Sequence, residues 1–205
     1  MSDDERRPDD DDTSLNKRDL LRFGARRVQQ GAAYAAAFAA EQMADRFTPR
    51  VQRPPGALAE LDFLLACTRC GDCVDACPPG AIRILDHRAG AAASTPYLDV
   101  NRWRPCVVCD DPPCITACAD GALVPIAMAD AVMGTANIDR QTCRAWNGRA
   151  CRACVDACPY PGDAILRDED GRVFIDPRTC IGCGRCRPAC PTNPRSITID
   201  PPPRF

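Results

Sequence analysis

The chain has 205 residues, a formal net charge of −2 and only 5% aromatic residues, against 20 prolines and 16 cysteines. That length allows one or two domains, and the near-neutral balance argues against a nucleic-acid partner. So few aromatics leave a hydrophobic core thin, and no glycine-rich nucleotide fingerprint points to flavin or nicotinamide.

Residues 1–16 are acidic and polar, with Asp9–Asp12 as a charge run, and read as a disordered tail. In residues 17–47 the pattern turns helical: Leu20, Leu21, Phe23, Val28, Tyr34, Phe38, Met43 and Phe47 interleave with arginines and an alanine-rich stretch. Two readings of this segment stand. One is an amphipathic helix that packs on its own protein or lies on a membrane surface. The other is a degenerate twin-arginine export signal, because Asn-Lys-Arg-Asp-Leu-Leu-Arg resembles a weakened form of that motif. Arg22, Arg26 and Arg27 interrupt the place where an apolar region should begin, and Val28–Ala40 is too short to span a bilayer. The first reading places the protein on the cytoplasmic side, touching the membrane through residues 17–47; the second places it in the periplasm. Thr48–Gly56, TPRVQRPPG, reads as a proline-rich linker. Residues 57–205 then form one cysteine-rich domain.

All 16 cysteines fall into four groups of four. Cys67, Cys70, Cys73 and Cys77 before Pro78 read C-x2-C-x2-C-x3-C-P, and Cys180, Cys183, Cys186 and Cys190 before Pro191 repeat that spacing. It is the run of bacterial ferredoxins, in which three cysteines hold one [4Fe–4S] cluster and the fourth reaches a second. The spacing suits a cubane whose iron corners take soft thiolates, since one tight loop wraps three corners and turns its backbone N–H groups toward the sulfurs. Gly71, Gly182 and Gly184 lie inside these loops, where close backbone approach and unusual dihedrals are needed. The fourth cysteine is expected to start a short helical turn, and the proline after it to redirect the chain.

The middle groups are variants of the same run. Cys106, Cys109, Cys114 and Cys118 read C-x2-C-x4-C-x3-C, followed by Ala119 instead of proline. Cys143, Cys151, Cys154 and Cys158 read C-x7-C-x2-C-x3-C before Pro159. A longer gap lengthens the loop and keeps four ligands. Two rival uses of the cysteines fare worse. Secreted disulfide scaffolds seldom repeat one compact tetrad, and structural zinc sites set two C-x2-C knuckles a dozen or more residues apart.

Between the groups, short apolar runs alternate with turn signals. Ala81–Leu85 with Tyr97–Val100 predicts one hairpin, and Ala164–Leu166 with Arg172–Ile175 another around Asp170–Gly171. Asn137–Ile138 and Ser196–Ile199 supply the remaining strand pieces. The fold class predicted is α+β: two ferredoxin-like dicluster modules with an N-terminal helical extension. Groups one and four share the regular spacing and two and three are both distorted, which favours nested over tandem pairing. Among other residues, His87 reads as a solvated loop residue, Trp103 and Trp146 as packing that excludes water from a cluster, and Asp110–Asp111 as a cap for the turn before Pro112.

CVVCDDPPCITAC is similar to the second motif of the iron–sulfur subunits of molybdenum oxidoreductases. CRAWNGRACRACVDACP, with its long gap and Trp-Asn-Gly, resembles the NapG/MauM ferredoxin-type proteins of periplasmic nitrate reduction and methylamine utilisation. The resemblance covers roughly Leu58 to Ile199. It implies a non-catalytic carrier of four [4Fe–4S] clusters that relays electrons between a quinol-linked donor and a redox enzyme. An accessory or maturation protein for such an enzyme is the alternative. The related subunits imply nesting too. Cys67, Cys70, Cys73 and Cys190 would then share a cluster, as would Cys180, Cys183, Cys186 and Cys77. The inner pair would be Cys106, Cys109, Cys114 and Cys158, and Cys143, Cys151, Cys154 and Cys118.

Overall fold

The computed structural model describes residues 49–203, and the expectations for residues 1–16 and 17–47 lie outside them. Among the described residues, three antiparallel two-stranded sheets and five short α-helices carry the fold. Strand β1 (Ile82–Ile84) pairs with β2 (Pro96–Leu98), with Ile82 opposite Leu98. Strand β4 (Ile165–Arg167) pairs with β5 (Val173–Ile175), with Ile165 opposite Ile175. Both are the hairpins that the apolar alternation predicts. The third sheet joins β3 (Thr135–Ile138) to β6 (Ile197–Asp200), the two remaining strand pieces, in a register that sets Ile138 opposite Ile197.

These pairings make two modules of one plan. In the second module, β3 and β6 close the two ends of the segment around the β4–β5 hairpin. In the first, the same closure is reduced to a bridge between Ala57 and Leu123 around the β1–β2 hairpin. Backbone bonds from Leu58 N–H to the Ala122 carbonyl (3.1 Å) and from Val124 N–H to the Gly56 carbonyl (2.7 Å) reinforce it. Each module is therefore a continuous stretch of chain that closes on itself.

Helix α1 (Glu60–Ala66) leads into group one, and its Phe63 is fully buried. The others are single turns: α2 (Asp72–Asp75), α3 (Pro113–Thr116), α4 (Ala153–Ala157) and α5 (Cys186–Ala189). Each holds the third cysteine of its group in its first turn, and the fourth cysteine follows the helix instead of starting one. The reason is local. A residue before proline is pushed to extended dihedrals, and Cys158 and Cys190 accordingly end their helices with ψ of 135° and 122°. The fourth side chain thereby leaves the direction of the other three.

The stretch expected as a linker is built into the domain over its described residues, 49–56. Gln52 and Arg53 are buried, and Gln52 pairs with Leu98 at the edge of β2. Its side-chain amide donates to the carbonyls of Met133 (3.1 Å) and Gly182 (3.3 Å), both in the second module. Arg53 donates to both carboxylate oxygens of Glu60 at 2.9 and 2.6 Å and to the Thr95 hydroxyl and Pro96 carbonyl at 2.8 and 2.7 Å, with its guanidinium 4.5 Å above the Phe63 ring. A polar, proline-rich composition concealed a fully satisfied interior node.

Candidate functional site

Four cavities, each walled by apolar side chains, hold the cysteines four at a time. Site 1 is lined by Cys67, Cys70, Cys73 and Cys118 with Phe63 and Leu123. Site 2 is lined by Cys77, Cys106, Cys109 and Cys114 with Ile82 and Leu98. Site 3 takes Cys143, Cys151, Cys154 and Cys190 with Ile138 and Ile197, and site 4 takes Cys158, Cys180, Cys183 and Cys186 with Ile165 and Ile199. The same wall recurs because each cavity sits against a strand pair: the closing pair or the hairpin of its module.

The pairing is therefore tandem, and the nested expectation is corrected. Cys77 faces Cys106, Cys109 and Cys114, not group four, and Cys190 faces group three, not group one. Cys118 likewise goes to group one and Cys158 to group four. Motif spacing failed as a guide because it records how many residues wrap a site; the hairpins decide which group returns alongside. Within a module each fourth cysteine crosses to its neighbour's cavity, as the ferredoxin run requires.

Loop geometry fits the same purpose. The second residue of the first two-residue gap is left-handed in three groups: Arg69 (φ 64°), Val108 (φ 60°) and Gly182 (φ 72°). That conformation curls the chain around the sulfurs at a cost for residues bearing a Cβ. Backbone N–H groups donate to sulfur from Ala81 to Cys77 (3.3 Å), Leu123 to Cys118 (3.3 Å) and Ala136 to Cys180 (3.4 Å). Among the described residues, no three Cys, His, Asp or Glu side chains converge closely enough to hold a single metal ion. All sixteen thiols are free. Four sulfurs per cavity, with N–H donors at Cys77, Cys118 and Cys180, suit a polynuclear cluster.

The thiols make that preference electrostatic. Burial, then the charge of neighbouring cysteines, pushes Cys73 and Cys154 up to about 11. The same causes push Cys114 up to about 12, and Cys183, chiefly by burial, also to about 12. Cys186 rises further by burial and by Cys183 and Cys180. Such cysteines stay protonated at neutral pH unless cations draw them into thiolates, so loading iron releases protons. Cys190 moves the other way. Burial opposes its ionisation, but the Thr192 hydroxyl, 3.2 Å from its Sγ, and backbone N–H groups stabilise its thiolate and hold it below the usual thiol range.

The remaining candidates hold loops in place. Neither Trp103 nor Trp146 is among the residues lining the four cysteine cavities. Trp103, half exposed, donates from Nε1 to the Gly80 carbonyl (2.9 Å) beneath Arg83 and Arg104. Trp146 donates to the Val173 carbonyl (2.9 Å) and meets Phe174 edge-on at 5.0 Å, tying the long loop of group three to β5. Helix α3 starts from Pro112 without a side-chain cap, so Asp110 and Asp111 do not cap it. His87 is exposed in its loop.

A 4Fe-4S dicluster domain matches residues 66–122 and again 147–193. The first match spans groups one and two, and the second takes in group four with the last three cysteines of group three, in the same tandem division. The Paracoccus denitrificans methylamine utilization ferredoxin-type protein MauM is 37% identical over 201 residues, covering 91% of this chain and 88% of that protein. The chain belongs to the NapG/MauM family of ferredoxin-type proteins. MauM of Methylobacillus flagellatus is 40% identical over 161 residues, 74% of this chain and 68% of that one. The Escherichia coli ferredoxin-type protein NapG is 33% identical over 198 residues, covering 90% and 85%. This family member is an iron–sulfur electron-transfer protein whose two dicluster domains bind four [4Fe–4S] clusters. The second domain match begins after Cys143, yet the fold carries Cys143 across its seven-residue gap into site 3.

Proposed function

We propose that the four cysteines lining each cavity are the ligands of one [4Fe–4S] cluster, and that this NapG/MauM protein is a non-catalytic relay between a quinol-linked donor and a redox enzyme. The division of sixteen cysteines among four similar cavities carries the reading. When bound, each cluster takes up and gives back one electron. The chain's residues supply the rest: four thiolates per site, N–H donors to Cys77, Cys118 and Cys180, and apolar walls that exclude water. Every tetrad is complete, which leaves no iron corner open to a substrate.

The relay reading predicts about 16 iron and 16 inorganic sulfide per anaerobically purified chain. Near-stoichiometric zinc without acid-labile sulfide would overturn it. Rapid reoxidation of the reduced protein by a purified partner enzyme during turnover supports the relay, whereas binding confined to a cofactor-free enzyme precursor supports the maturation role. For residues 17–47 we propose contact with the cytoplasmic membrane face and an uncleaved N-terminus. Fractionation with N-terminal sequencing tests this: a periplasmic form beginning after about residue 37, beyond the charged stretch, would establish export.

A further inference from the structure

The cavity linings and one backbone bond put the four sites in an order. Sites 1 and 2 are joined by Cys118 and Cys77, each of which crosses to its neighbour's cavity, and sites 3 and 4 are joined in the same way by Cys190 and Cys158. Between the modules, the Cys106 backbone N–H donates to the Cys183 carbonyl at 2.9 Å. This approach is built from several sides. A Cβ at Gly184 would stand 2.6 Å from the Cβ of Val100, so only glycine lets the two segments close to this distance. Asn101 clasps β6, donating to the Ile199 carbonyl (2.6 Å) and accepting from the Ile199 N–H (2.9 Å), while Arg187 donates to the Asn101 carbonyl (2.8 Å).

We infer that electrons cross between the two modules at one junction, from the tetrad holding Cys106 to the tetrad holding Cys183, so that the sites run 1–2–4–3. The inference rests on the tetrads being cluster ligands. Crossing moves one electron: the cluster at site 2 is oxidised by one, the cluster at site 4 is reduced by one, and no bond or proton changes. The ends meet one-electron redox proteins, and at site 1 Cys70 is exposed to such a partner.

The test uses the full, anaerobically loaded chain as wild type, Cys180→Ser and Cys106→Ser, each fully reduced and followed by EPR. In the fully reduced Cys180→Ser variant, which loses or alters site 4, site 3 should give an uncoupled signal while sites 1 and 2 remain magnetically coupled. Site 3 still coupled to the first module would overturn the order. Cys106→Ser, which loses or alters site 2, decides the matter even where Cys180→Ser fails to load: site 1 should give an uncoupled signal while sites 3 and 4 remain coupled, and site 1 still coupled to the second module would overturn the order. Wild type holding well under 16 irons would contradict the ligand assignment instead.

Discussion

Val108 and Gly184 show how much the cluster loops ask of single residues. Val108 holds a left-handed backbone (φ 60°) at the place where group four has Gly182 (φ 72°). A Cβ in that region costs roughly 1–2 kcal/mol, and glycine's greater freedom in the unfolded chain returns about 0.5–1 of it. Val108→Gly should therefore stabilise the loaded protein by up to about 1 kcal/mol, read as a higher thermal midpoint. Gly184→Ala meets both a φ of 82° and the Val100 side chain, and should cost at least the 1–3 kcal/mol or so of a strained backbone. A third residue tests electrostatics without touching a ligand. Thr192→Val removes the hydroxyl beside Cys190; with that stabilisation of negative charge gone, the potential of one cluster should fall and the other three should hold, as followed by EPR titration.

At the scale of elements, the Arg53–Glu60 pair binds the entering chain to α1 and β2, with side chains only 7% and 14% exposed. Removing one partner strands a buried charge, so Arg53→Met should lose about 3–5 kcal/mol in anaerobic denaturant unfolding, and the double variant with Glu60→Leu should recover much of it. The sequence could not announce this pair. TPRVQRPPG has the composition of a tether, and nothing along the chain says that Thr95 and Pro96 wait for its arginine. The strands, by contrast, were legible, because apolar runs such as Ile82–Ile84 and Val173–Ile175 are bounded by turn residues that leave few alternatives. The cysteine tetrads were legible as well, down to the variant gaps. What stayed hidden was their partnership: Ala57 against Leu123 is a single bridge between unremarkable residues, and it closes the first module as surely as the longer β3–β6 ladder closes the second.

For the whole molecule, the cavities stand where a larger protein would have aromatic side chains. Buried thiols raised by desolvation and by one another make an iron-free interior unfavourable, so cluster removal should unfold far more than the loops themselves. Exposure to oxygen with a chelator should abolish the protease resistance of residues 57–200, whereas the anaerobic protein treated alike should keep it; limited proteolysis with iron assay makes the comparison.

The closure of each module on a continuous stretch of chain also bears on how the protein is made. Every residue that lines sites 1 and 2 has been translated once Met128 emerges, before Thr135 of β3 exists. The first pair of clusters can be inserted while synthesis continues, and the second needs only β6 to arrive. The fold thus permits vectorial assembly, in which no half-finished tetrad has to wait for a cysteine from the far end of the chain.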